Sequence, residues 1–150
     1  MRRRWQRPPP TRFLEETTDV EVRFQEVDAL GVVWHGHYLT YFEVARIAFG
    51  KRYAFGYQTI LDHGYIAPIV RSEVDYYLPA RFGDVLTVHA RLHAERGARV
   101  TFSYLVCTKR REELAAGLTV QVFTDLGGEL VLVRPEFYGK WLEGVEFKSA

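Results

Sequence analysis

The sequence predicts an α+β domain: one long central helix wrapped by a curved antiparallel sheet of about five strands. Three observations carry that expectation. Residues 38–55 keep apolar side chains at three- and four-residue spacing on most sides. Everything after Gly64 alternates at the strand period. The strand-like segments are joined by short turns such as Glu95-Arg96-Gly97-Ala98, which favour antiparallel hairpins. A buried helix followed by a meander of strands leaves the sheet to curl over the helix.

In chain order, the amino terminus MRRRWQRPPP is basic and ends in three prolines. Residues 1–12 are expected as an extended tail, and residues 13–150 as a single domain. The tail lacks the apolar core of a signal peptide, and no apolar run approaches the ~20 residues of a membrane span. A soluble, cytoplasmic protein is the expectation. Residues 17–24 alternate Val20, Val22 and Phe24 with polar neighbours, as a half-buried strand does. The next stretch, QEVDALGVVWHGH, keeps neither period and reads as a structured loop.

In the helix, Tyr38, Phe42, Ala45, Phe49 and Tyr53 form one stripe, widened by Leu39, Tyr41, Val44, Ile47 and Ala48. Thr40, Glu43, Arg46 and Gly50 leave only a narrow polar band, so the helix belongs in the middle of the fold. Strands are expected over residues 66–78, 85–93, 100–108, 114–124 and 129–133, with a turn at Asp125-Leu126-Gly127-Gly128.

Composition narrows the function. Lys+Arg number 20 against Asp+Glu 19, a balance that argues against a dedicated nucleic-acid binder. Cys107 is the only cysteine, so no intramolecular disulfide forms, and its apolar neighbours suit a small buried hydrophobe. His35 and His37 point the same way if extended, yet no further ligand cluster accompanies them, and no metal or cofactor is expected.

Asp28 lies between Val27 and Ala29, ahead of Gly31 and the apolar run Val32-Val33-Trp34. A carboxylate there risks desolvation unless hydrogen bonds or a positive dipole compensate. The free N–H groups at the start of the following helix, around residues 35–39, supply such a dipole. The pair is able to polarise an activated carbonyl and attack it, directly or through water. From the residues alone, an Asx hydrogen bond in a turn is the favoured account of Asp28.

The stretch VDALGVVWHGHYLTYFEVAR resembles the signature of the 4-hydroxybenzoyl-CoA thioesterase-like family of acyl-CoA thioesterases with the hot-dog fold. The matching positions are Asp28, Gly31, Val32, Val33, His35 and Tyr38, then Glu43, Ala45 and Arg46. VDYYLPARFGDVLTV matches at Tyr77, Pro79, Ala80, Arg81 and Asp84, and residues 99–104 and 132–135 also resemble the family pattern. The resemblance runs over residues 17–137.

It implies hydrolysis of an acyl-CoA to free acid and CoA, with active sites at a dimer interface. Asp28 would be nucleophile or general base, the N–H of His35 would polarise the thioester carbonyl, and Tyr38 and Glu43 would line or support the site. His37 stands where the family commonly has Asn or Ser. Gly31, Val33 and Trp34 are expected to contact substrate.

For the CoA phosphates the candidates are Arg96, Arg99, Lys109 and Arg110 by charge. Arg96 and Arg99 are preferred because they lie in or beside a hairpin turn, where the family tends to place basic residues. Trp34, Tyr41, Phe42, Tyr76 and Tyr77 are available to shape an acyl pocket. The Asn-Pro or Pro-Gly of hot-dog hydratases is missing from this loop. The principal alternative is a non-catalytic acyl-CoA or acyl-carrier-protein binding module. A curled sheet leaves open edges, so a homodimer or homotetramer is expected.

Overall fold

The structure, a computed structural model, describes residues 10–149. The tail expected over residues 1–12 thus falls mostly outside the described residues, and Arg12 is already the first residue of strand β1 (Arg12–Glu21). The other elements are α1 (Tyr38–Tyr53), α2 (Tyr57–Asp62), β2 (Tyr65–Ile66), β3 (Ile69–Tyr76), β4 (Val85–His93), β5 (Arg99–Thr108), β6 (Glu113–Asp125), β7 (Leu130–Val131), α3 (Glu136–Glu143) and β8 (Lys148–Ser149).

Five long strands form an antiparallel sheet in the order β3-β6-β5-β4-β1. Among the described residues the short strands β2, β7 and β8 bring the sheet to eight strands, β2 and β7 on the end of β6 and β8 on β1.

Alternation puts Leu86, Val88, Ala90 and Leu92 of β4 on the inner face beside Val100, Phe102, Tyr104 and Val106 of β5, all buried. Helix α1 lies across this face with Tyr38, Tyr41, Phe42, Ala45 and Phe49 turned into it. The Phe42 ring stacks on Tyr104 at 4.2 Å between centroids, and Phe49 meets Phe102 edge-on at 5.0 Å. Gly117 makes room for this: a Cβ there would sit 2.3 Å from the Phe42 ring.

Several expectations need correction. The first strand starts earlier and ends at Glu21; Phe24 belongs to a short 3-10 turn, Phe24–Glu26. Helix α1 stops at Tyr53, because Ala54 takes a left-handed conformation (φ 52°) and caps it. The strand expected over residues 66–78 is two pieces, broken at Ala67-Pro68, where Pro68 has no N–H for the ladder.

The chain after Gly64 is not all sheet either. Helix α3 buries Tyr138, stacks Trp141 on Phe55 at 4.4 Å, and donates the Trp141 indole N–H to the Tyr53 carbonyl at 2.7 Å. It closes the far end of α1. The outer face of α1 is less covered than its composition implies: Leu39, Val44 and Ile47 are exposed. Among the described residues no helix is long and apolar enough to cross a membrane.

Candidate active site

The loop between β1 and α1 is fastened at both ends. After β1, Val22 exchanges backbone hydrogen bonds with Gly83 and Asp84 (3.1 and 2.9 Å). The 3-10 turn that follows is locked by Glu26, a buried carboxylate that accepts the Arg23 N–H at 2.7 Å and the Tyr41 hydroxyl at 3.2 Å. Burial and the neighbouring Glu26 raise the Tyr41 phenol well above its ordinary value.

Beyond Glu26 the chain makes a small closed loop. Val27 and Val33 form an antiparallel bridge, Asp28 N–H donates to Val32 at 2.9 Å, and Gly31 N–H donates back to the Asp28 carbonyl at 2.9 Å. Gly31 has φ +76°, a left-handed turn that glycine adopts without strain. Trp34 N–H returns to the Glu26 carbonyl and Val33 N–H reaches the Ala80 carbonyl, both at 2.9 Å. Asp28 is held half-buried, its Oδ1 accepting the Leu30 N–H at 2.8 Å in an Asx turn. Among the described residues, Oδ2 has no protein donor.

This loop feeds directly into a 3-10 turn, His35–His37, continuous with α1. The His37 N–H is spent on the Trp34 carbonyl at 3.0 Å. The N–H groups of His35 and Gly36, at the start of the turn, have no intrahelical partner ahead of them and carry the positive end of the dipole. The Trp34 ring lies across the turn: a Cβ on Gly36 would come within 2.1 Å of it. The Tyr76 hydroxyl, from the last residue of β3, donates to the His35 carbonyl at 2.7 Å.

Behind the turn, Tyr38 is buried among Tyr41 (5.7 Å) and Tyr76 (5.3 Å). Burial raises the Tyr38 phenol, a backbone hydrogen bond from Ala80 opposes the rise, and nearby Tyr76 adds to it. Burial likewise raises Tyr76. The His35–His37 turn thus has a neutral aromatic backing.

The other sequence candidates divide. Gly31, Trp34, His35 and Tyr38 are brought together with Asp28, whereas the Val33 side chain is turned into the hydrophobic core. Glu43 is exposed on the outer face of α1. Arg46, from the same polar band of the helix, turns inward instead and donates to the Tyr104 hydroxyl at 2.9 Å. Arg96 and Arg99 lie at the opposite end of the sheet, Arg99 beside Glu95 at 3.7 Å. Val106 of β5 marks the end nearest Tyr76, through Ala115. At about 3.3 Å per residue, Arg99 stands roughly 20 Å from it along the strand.

Lys109 and Arg110, in the turn after β5, share the end of the sheet with the Asp28 loop; Lys109 is paired with Asp19. The buried role of Glu26 and the anchoring role of Tyr76 were not anticipated. The usual N-terminal signature puts Ser or Thr ahead of the Glu, and here the position is Arg23, so the pattern is hidden. Cys107 is buried, which raises its thiol, with Glu113 adding to the effect.

Residues 22–142 match the family model described as the thioesterase-like superfamily. The chain belongs to that superfamily. Among its thioesterase-like relatives, YbgC of Haemophilus influenzae, named an acyl-CoA thioesterase, is 34% identical over 110 residues, covering 72% of this chain and 79% of that protein. YneP of Bacillus subtilis is 31% identical over 86 residues, 57% of this chain and 62% of its own length; in that match the chain spans less than two thirds of the relative.

Solved structures carry the same architecture. Protein TT1821 of Thermus thermophilus has a TM-score of 0.76 at 32% identity, covering 87% of this chain and 98% of that one. A DHNA-CoA thioesterase of Staphylococcus aureus has a TM-score of 0.77 at 24% identity, covering 86% and 87%. The fold is the hot-dog fold.

Proposed function

We propose that this chain hydrolyses an acyl-CoA thioester to the free acid and CoA, with Asp28 as its carboxylate catalyst. The observation that carries the reading is the short, closed loop that holds Asp28 immediately before the 3-10 turn opening α1. The family and the relatives named as acyl-CoA thioesterases support it.

The thioester oxygen accepts from the N–H groups at His35 and Gly36, which stabilise the negative charge that grows on it. The Asp28 oxygen not engaged by Leu30 then acts on the carbonyl carbon. Acting as a base, it takes a proton from water as the water oxygen bonds to carbon; the C–S bond breaks and CoA thiolate leaves. Acting as a nucleophile, it bonds to carbon itself, the C–S bond breaks and CoA thiolate leaves, and water then hydrolyses the resulting mixed anhydride. Label found in Asp28 after single turnover in 18O-labelled water identifies the nucleophilic route with water attacking the Asp28 carbonyl of the anhydride. Tyr38 supports the turn from behind, and Trp34 forms a wall of the acyl site.

The second copy expected for this fold finds two uncovered surfaces. Among the described residues strand β3 pairs with β6 alone, and Ile69, Val70 and Tyr76 on it are exposed, as are Leu39, Val44 and Ile47 on α1. We assign pairing of β3 with β3 of a partner as the basis of a homodimer, from which a homotetramer is built.

One observation favours binding without turnover: the Leu30 N–H already occupies one Asp28 oxygen. A thiol-release assay across aromatic, short-chain and long-chain acyl-CoAs decides between the readings. Turnover of at least one class is expected; saturable binding with no free thiol from any of them contradicts hydrolysis.

A further inference from the structure

A cavity of about 300 Å³ opens between the C-terminal half of α1, the segment around α2 and the inner faces of β5 and β6. That is near the lower bound of roughly 300–1,000 Å³ for small-molecule sites. Ile47, Phe55, Ile60, Val100 and Phe102 give it apolar walls. Arg46 and Lys51 bring two cations, and among the described residues no Asp or Glu lines it.

Arg46 is the informative residue. It is largely buried, yet its partners are phenols: Nη1 donates to the Tyr104 hydroxyl at 2.9 Å, and a second bond goes to Tyr57. Tyr104 also shares a 2.6 Å hydrogen bond with Thr119, and burial raises its pKa, so it stays neutral. Among the described residues the buried Arg46 Nε has no hydrogen-bond partner. Among the described residues no carboxylate lies within ion-pair distance of Arg46. A buried cation without a counter-charge is costly, and a cavity beside it invites an anion from outside. The planar guanidinium suits a carboxylate, and the apolar walls suit a hydrocarbon body behind it.

We propose that this cavity binds a free monocarboxylic acid with an apolar body, its carboxylate on Arg46 and its chain between Phe55, Ile60 and Phe102. The site is separate from the Asp28 loop of the same protomer. Arg46 stands eleven positions beyond His35, roughly 16 Å along the helix at about 1.5 Å per residue. An acid of this class is a product of the proposed reaction; that link rests on the proposed function, and the binding does not.

The test is calorimetric titration of the full chain with decanoate and, separately, decan-1-ol. Saturable decanoate binding at least tenfold tighter than decanol is expected, and Arg46→Gln should remove that preference while leaving decanol binding unchanged. Equal binding of acid and alcohol, or an unaltered preference in Arg46→Gln, overturns the proposal. If Arg46→Gln does not fold, Arg46→Lys takes its place: it keeps the charge but loses the fork, and weakens decanoate severalfold. An unchanged decanoate affinity in that variant overturns the proposal equally. No thioester is present, so a chain inactive toward every acyl-CoA leaves this result standing.

Discussion

The Tyr76 hydroxyl donates to the His35 carbonyl oxygen at 2.7 Å, tying the last residue of the edge strand β3 to the first turn of α1. The bond fixes the orientation of the peptide groups that bind the thioester oxygen in the proposed mechanism. A typical hydrogen bond is worth about 1 kcal/mol net, which is roughly fivefold in rate if its effect falls on the transition state. Tyr76→Phe is therefore expected to lower kcat severalfold with little change in KM or in melting temperature. Steady-state kinetics beside a thermal melt check this.

Glu26 closes the loop from below, through the Arg23 N–H and the Tyr41 hydroxyl. Glu26→Ala leaves the buried Tyr41 hydroxyl and the partly buried Arg23 N–H without an acceptor and should cost about 1–3 kcal/mol of stability. Glu26→Gln keeps an acceptor oxygen and should cost less. Urea denaturation midpoints of the two variants test that order.

Two glycines give opposite signatures. At Gly117 an added methyl meets the Phe42 ring at 2.3 Å and the Glu73 carbonyl at 2.9 Å, deep in the core, so Gly117→Ala should lose about 1–3 kcal/mol. At Gly36 the obstacle is the partly exposed Trp34 ring, which has room to swing aside. Gly36→Ala should lower kcat/KM while changing stability by less than about 1 kcal/mol. Paired melts and kinetics separate the two.

Glu15, on the outer face of β1, is lowered from 4.5 to about 2 by a hydrogen bond to His89 and by Arg91, against the opposing effect of burial. A carboxylate held low in the folded state contributes stability that is complete above pH 4.5 and lost as pH falls from 4.5 toward about 2. The cluster is partly exposed, so screening limits the contribution to no more than about 1 kcal/mol. Between pH 5.5 and pH 3, Glu15→Gln should lose less stability than the wild type, measured by urea midpoints.

Periodicity made the helix and the long strands legible: β4 spans Val85–His93 as expected, and α1 and β5 differ by a residue or two at their ends. What escaped were elements set by tertiary contact. Helix α3 is only Glu136–Glu143, too short for a helical period to stand out, and it is held by Phe55 and the Tyr53 carbonyl. At the site, motif spacing singled out Asp28, His35 and Tyr38, which lie on one loop and the turn that continues it into α1. Spacing carries no information on which way Val33 turns, or that Arg99 sits at the wrong end of β5 for the same protomer's loop. Glu26 and Tyr76 act through bonds across 15 and 41 positions, beyond the reach of any local pattern.

The central claim is that the Asp28 carboxylate does the chemistry, and its most direct test is the turnover of Asp28→Asn on the acyl-CoA that the wild type hydrolyses fastest. Asparagine retains an oxygen for the Leu30 N–H, so the loop and the melting temperature should persist while the base or nucleophile is gone. The account predicts a fall in kcat of at least two orders of magnitude at nearly unchanged stability. Turnover within a few fold of the wild type would contradict it and leave Asp28 as a turn residue alone.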